Sequence, residues 1–333
     1  MTRSFTHLSL ALAALFIASS AAHAATVIYQ NDFTPDGLGG VTAGYGSTDA
    51  PTLYSENGTT TSAVASSLFG TGSALQVTVP SSSTGYNARG GVYLPISGGS
   101  GSAYAANDNP FQPWFSDNGN ASDPGRYQLN GAMDFYYRTN VTAGMLANPG
   151  RIYYNVDSFF RTENGSGSAG LGYIYFQQES RDGQDFSFRR ILPGGTSTSY
   201  APNATLYQAD TVYHIGYTFS TDASGLVTVN FFVQEGTDAI DTTATPTESL
   251  SFTLDSTQNM LGFLGGNVFR FGSTGGARIY DPDGAYTSVT SEYGRLTIWE
   301  GVPDQLTGVI PEPASFALLA MGSMLCMARR RSK

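Results

Sequence analysis

From Thr211 to Ser220 the chain alternates: Tyr213, Ile215, Tyr217 and Phe219 fall on one side, Val212, His214, Gly216 and Thr218 on the other. A period of two is that of extended backbone, and a single apolar face predicts an antiparallel strand half-buried against a core. Asp222, Ala223, Ser224 and Gly225 then supply turn formers before Leu226 to Gln234, which predicts a hairpin. Further β-prone runs, bounded by Pro, Gly and Ser, are Thr26 to Gln30, Ala74 to Val79, Gly91 to Ile96, Met133 to Arg138 and Arg151 to Phe160. Leu171 to Gln178, Phe186 to Ile191, Leu250 to Leu254, Val268 to Phe271 and Arg295 to Glu300 continue the series. No segment of twelve residues has convincing helical amphipathicity, and no fixed period marks a solenoid or propeller. About a dozen strands without interposed helices predict an all-β fold of two packed antiparallel sheets. The inner faces are expected to carry Val77, Val79, Phe135, Tyr153, Ile174, Phe176, Phe188 and Ile215, with Tyr217, Phe219, Val227, Val229, Phe231, Phe252, Leu296 and Ile298. Gly98 to Pro124 and Gly236 to Glu248 read as excursions from this sandwich.

Both ends depart from the strand pattern. Arg3 and His7 precede an apolar segment from Leu8 to Ala18, and Ala22, His23 and Ala24 form a small-x-small cleavage site. This order is that of a signal peptide over residues 1–24, removed by signal peptidase to leave Ala25 first. At the other end Pro311, Glu312 and Pro313 precede an apolar run from Ala314 to Ala328, followed by Arg329, Arg330, Arg331 and Lys333. As a helix this run spans roughly 22 Å, short of a ~30 Å hydrocarbon core, so it predicts a marginal membrane anchor with snorkelling basic ends. The basic cluster favours the cytoplasmic side and leaves the body on the far side. The expected organisation is signal peptide 1–24, β-sandwich 25–301, linker 302–310 and sorting segment 311–333.

Residues 25–310 carry 25 acidic residues, 11 arginines and no lysine, a formal charge of -14. That balance opposes nucleic acid or an anionic membrane surface as partner. The one cysteine, Cys326, lies in the apolar tail, so the exported body has neither disulfide nor thiol nucleophile.

Pro311, Glu312, Pro313, the apolar run and Arg329 to Arg331 together resemble the PEP-CTERM sorting signal of Gram-negative bacteria. The resemblance covers only the last 23 residues, and the apolar segment is short for it. It implies recognition by exosortase in the inner membrane, a membrane-bound precursor, and a destination at the cell surface or in an exopolysaccharide matrix. The body more weakly resembles concanavalin A-like or laminin G-like jelly rolls. Tyr29 to Phe33, the Thr211 to Gln234 hairpin and Leu296 to Gly301 carry that likeness, which implies first and last strands lying near each other.

Reaction chemistry is sparse. The mature body has one histidine, His214, which the alternation places on a sheet surface or in a cleft, and one histidine cannot build a zinc cluster. No Gly-x-Ser-x-Gly elbow is present. Asp134, Asp157, Glu179, Asp185 and Glu300 are single carboxylates on strands, without the alternating acidic pair suited to a glycosidase cleft. Turn carboxylates offer a different use: Asp281 with Asp283, or Asp117 with Asp123, can contribute oxygens to a structural calcium, or simply cap their own turns. Trp114, Phe111 and Phe115 in one loop, and Tyr153 with Tyr154 on a strand, can stack on sugar rings or pin loops to the sandwich. The expected function is noncatalytic, structural, at the surface or in the matrix, with no required cofactor. A carbohydrate-binding module and a glycoside hydrolase or lyase stay open as alternatives.

Overall fold

The computed structural model describes residues 25–34, 52–56, 58–80, 89–95, 115–117, 122–123, 127–140, 155–163, 173–179, 185–191, 197–199, 208, 210–253, 268–274 and 288–307. Among them there is no helix, and hence none long and apolar enough to cross a membrane. The strands are β1 (Thr26–Asn31), β2 (Thr52–Glu56), β3 (Thr60–Ser66), β4 (Gly72–Pro80), β5 (Arg89–Pro95), β6 (Phe115–Asp117), β7 (Tyr127–Leu129) and β8 (Gly131–Thr139). They continue with β9 (Asn155–Glu163), β10 (Tyr173–Glu179), β11 (Asp185–Ile191), β12 (Ser197–Ser199), β13 (Tyr213–Thr221) and β14 (Leu226–Glu235). The last are β15 (Ile240–Asp241), β16 (Glu248–Thr253), β17 (Val268–Thr274), β18 (Ser288–Glu300) and β19 (Gln305–Leu306).

An eight-stranded antiparallel sheet runs β16-β14-β13-β8-β18-β4-β3, with β1 also paired to β18; a seven-stranded one runs β12-β11-β10-β9-β17-β5-β2. Consecutive strands change sheet at several places, and four of these crossings set the winding: β2 to β3, β4 to β5, β8 to β9 and β17 to β18. Each crossing lies beside another in both sheets, since β3 pairs with β4 while β2 pairs with β5. Likewise β4 and β8 flank β18 while β5 and β9 flank β17. A strand pair wound in this way around two sheets is a jelly roll, and it joins segments more than 200 residues apart. The first strand and the last long one are neighbours, with Thr26 opposite Glu300.

Aromatic rings close the sandwich. Phe271 of β17 is stacked with Phe33 at 5.8 Å and meets Phe135 of β8 and Tyr293 of β18 edge-on at 5.0 and 5.2 Å. Val77, Val79, Phe135, Ile215, Tyr217, Phe219, Val227, Val229, Phe231, Leu296 and Ile298 are buried as the alternation requires. Tyr153 lies outside the described residues, as do the side chains of Ile174, Phe176, Phe188 and Phe252.

β13 departs from its expected half-burial: Tyr213 through Phe219 are buried on both faces. The reason is a third layer. β15 and β19 pair through Ile240 and Leu306, and both side chains pack with Ala132, Phe232 and Trp299 on the outer face of the eight-stranded sheet. Gly216 makes the close approach possible, because a Cβ there would stand 2.5 Å from Leu306 Cδ1. Of the expected linker 302–310, residues 302–307 are described, and within them Leu306 is fully buried in this layer.

The β13–β14 turn forms where Asp222 to Gly225 predicts it, with Gly225 at φ 81°. Asp222 Oδ1 accepts from Ser224 Oγ at 2.6 Å, Ser224 N at 2.8 Å and Leu226 N at 3.0 Å. Asp241 accepts from Thr243 Oγ1 at 2.6 Å and its N at 2.9 Å. These bonds, the hydroxyl ones foremost, hold both carboxyls below their ordinary value of 3.8. A depressed folded-state value gives stability that is present above the unfolded value and is lost as pH falls through the folded one. The stability difference between the wild type and Asp222→Asn should thus be constant near neutrality and shrink below about pH 3.8. Urea titrations across acidic pH test this, and a difference that stays constant to the acid limit would contradict it.

Candidate functional site

The sequence-predicted groups divide by position. Ala22, Ala24, Pro311, Glu312, Pro313 and Arg329 to Arg331 lie outside the described residues, as do Phe111, Trp114, Tyr153, Tyr154, Asp281 and Asp283; Ala25 begins the described body. Phe115 and Asp117 sit on β6, opposite Leu129 and Tyr127 of β7, and Asp123 lies between these two strands. The hairpin thus brings Asp117 and Asp123 into one short unit. It is tied to the end of β13, where Thr221 Oγ1 accepts from Leu129 N at 2.7 Å and donates to Leu129 O at 3.0 Å. Among the described residues no three carboxylate, imidazole or thiol groups converge as metal ligands.

What the fold does bring together is a buried polar cluster that spacing along the chain does not suggest. Cross-strand register on β13, β8 and β18 aligns His214 with Tyr136, and Asp134 with both Gly216 and Thr297. All of these lie on the outer face, beneath the β15–β19 layer. Asp134 and His214 are completely buried. Asp134 Oδ1 accepts from Trp299 Nε1 at 2.7 Å, and its Oδ2 is 2.9 Å from His214 Nε2. His214 Nδ1 is 2.7 Å from the carbonyl oxygen of Asp238, which can only accept, so Nδ1 is the donor in that contact.

The Tyr136 ring lies 4.6 Å from the imidazole and 6.1 Å from Phe69. Burial, reinforced by the Asp134 charge, pushes its phenol up to about 12, so it stays protonated throughout the physiological range. In the same row, Gln30 Oε1 and Thr297 Oγ1 are buried without hydrogen-bond partners among the described residues. The surface or cleft position expected for His214 is therefore corrected: fully buried, packed against Tyr136 and bonded to Asp238 O, it clasps the 236–240 loop to the sheet. Fully buried, the Asp134–His214 pair ties β8, β13 and that loop together and is linked through the indole to β18.

Leu306→Ala should cost about 2–3 kcal/mol, toward the low end for a buried leucine because a two-residue strand can settle into the space. It should also speed amide exchange at Ile240. Unchanged exchange there would mean that the third layer holds without Leu306.

No family model matches the chain, and no curated protein matches its sequence. Several solved structures are similar to it at low TM-scores. An endo-β-1,4-glucuronan lyase from the fungus Trichoderma reesei is similar with a TM-score of 0.44 and 14% identity, over 82% of this chain and 95% of that one. An alginate lyase from Aplysia kurodai is similar with a TM-score of 0.43 and 12% identity, over 82% and 98%. The laminarinase catalytic domain from Thermotoga maritima is similar with a TM-score of 0.41 and 9% identity, over 84% and 99%. Likeness at this level assigns neither a family nor an activity.

Proposed function

We propose that this is an exported protein, freed of residues 1–24 by signal peptidase and sorted by exosortase through residues 311–333. In this reading it acts as a noncatalytic component of the cell surface or exopolysaccharide matrix. The observation that carries the reading is the order of elements at the two ends, and the fold supports it in one specific way. Thr26 is opposite Glu300, and a Cβ on Gly301 would lie 3.6 Å from Ala25 Cα, so the start of β1 lies beside the end of β18. A jelly roll can therefore complete both β1 and β18 while the precursor is still held by a membrane segment at each end. The acidic body, with its polar turns and no cysteine, suits a module displayed outside the cell.

Intact-mass measurement on surface-fraction protein should find Ala25 as the first residue. Glu312→Gln, or deletion of Arg329 to Arg331, should cause mislocalisation with an unchanged urea midpoint, because neither belongs to the core predicted from sequence. Recovery solely of a cytoplasmic chain beginning at Met1 would defeat the reading.

A further inference from the structure

We propose that Thr297 and Gln30 join in an intramolecular ester, formed once in the folded chain with Asp134 as the proton acceptor, which staples the last long strand to the first. This goes beyond the export reading and does not depend on it.

Gln30 of β1 and Thr297 of β18 are direct partners in the antiparallel register. Side chains at such positions share a face of the sheet with their Cβ atoms about 4.5–5.5 Å apart, a gap that the glutamine side chain can span. Thr297 is completely buried and Gln30 is 8% exposed. Buried amide and hydroxyl groups ordinarily find partners, because an unmet one carries its full desolvation cost. Gln30 Oε1 and Thr297 Oγ1 have none among the described residues, although they belong to facing side chains. A hydroxyl and an amide carbonyl held side by side, with neither oxygen engaged, are arranged as a nucleophile and its acyl group before reaction.

The third group lies on the other side of Thr297. Its register partner on β8 is Asp134, so the threonine stands in one row between the Gln30 amide and the Asp134 carboxyl. Trp299 Nε1 and His214 Nε2 engage one carboxyl oxygen each, at 2.7 and 2.9 Å, and each oxygen has a further lone pair. Those two contacts fix the carboxyl in place, and the burial of Thr297, Gln30 and Asp134 keeps water from competing with the hydroxyl.

The step balances without a co-reactant. Thr297 Oγ1 attacks Gln30 Cδ while its proton passes to Asp134; the Cδ–Nε2 bond of the tetrahedral adduct then breaks, and Asp134 gives the proton to the departing nitrogen, which leaves as ammonia. One Oγ1–Cδ bond replaces one Nε2–Cδ bond, and nothing is oxidised or reduced. An ester is less stable than an amide, so the exchange is driven by the high effective concentration of the fixed pair and by dilution of ammonia into solvent. Composition closes the other routes to a covalent staple: residues 25–310 contain no cysteine for a disulfide and no lysine for an amide cross-link. Gln30 and Thr297 lie near opposite ends of the body, so the bond ties off nearly the whole chain and restricts its unfolded state.

Mass spectrometry of the full chain, purified in a non-ionic detergent and then unfolded in urea, tests the assignment. The wild type should weigh less than its sequence requires by one ammonia, and a digest should contain a branched peptide joining Gln30 to Thr297. Hydroxylamine, which cleaves esters and spares amides, should part that peptide. Thr297→Val keeps the shape without the hydroxyl and should restore the full mass, as should Asp134→Asn, whereas Thr297→Ser should keep the deficit. Circular dichroism shows which variants are folded; if Asp134→Asn is not, the comparison of valine with serine decides. Full mass in the folded wild type would mean that the two groups merely share a bound water, and would overturn the proposal. A deficit that survives in Thr297→Val, or in folded Asp134→Asn, would overturn it as well. Correct sorting of a chain without the ester would sink this inference and leave the export reading standing; an ester in a chain that is not exported would do the reverse.

Discussion

Asp134→Ala should lower the free energy of unfolding by about 3–5 kcal/mol, the range for breaking a buried ionisable pair by removing one partner. Asp134 is fully buried and takes the Trp299 indole proton through one oxygen while facing His214 through the other. Alanine would strand an indole N–H and an imidazole nitrogen in an apolar layer, each at a desolvation cost of about 1–3 kcal/mol. Asp134→Asn is the informative companion. An amide oxygen still accepts from Trp299, and an amide N–H donates to His214 Nε2 once that nitrogen carries no proton. Its loss should therefore be markedly smaller than that of alanine. Urea melts followed by circular dichroism measure both; equal losses for Asn and Ala would show that packing, not hydrogen bonding, holds this cluster.

Phe271→Ala should be comparably damaging, about 3–5 kcal/mol, because the ring fills the space between the sheets. It is 1% exposed and makes three aromatic contacts, with Phe33, Phe135 and Tyr293. Edge-on and offset pairs contribute about 0.5–1.5 kcal/mol each beyond area burial. Phe33 itself is held at φ 54° by Asn31, whose Oδ1 accepts the Phe33 backbone N–H at 2.8 Å. Leucine at position 271 keeps most of the apolar volume but loses the ring geometry, so its cost should fall well below that of alanine. A shift under about 1 kcal/mol for alanine would mean that the sheets close elsewhere.

The twelve strands expected from sequence all correspond to strands in the fold, because alternation and turn chemistry are local properties of the backbone. Those missed are the ones without a local signal. β3, Thr60 to Ser66, is made of small and polar residues and depends on pairing with β4. β15 and β19 are two residues long, too short to display a period. Hints of the third layer were present in Ile240 and Leu306, apolar within polar segments, in Gly216 at mid-strand, and in Trp299 on the nominally outward side of β18. None of them named its partner. Alternation identifies two faces for each strand but not which of them will be covered, and that depends on segments far along the chain. Hence His214 reads as a surface residue from its neighbours, yet is buried with Asp134, eighty positions away. By itself the sequence determined the longer strands, the all-β class, the acidic body and the terminal pattern from which the export proposal is drawn. Only the tertiary structure decided the winding and the burial of the Asp134–His214–Trp299 cluster, since contacts between distant strands are set by the closing of the two sheets.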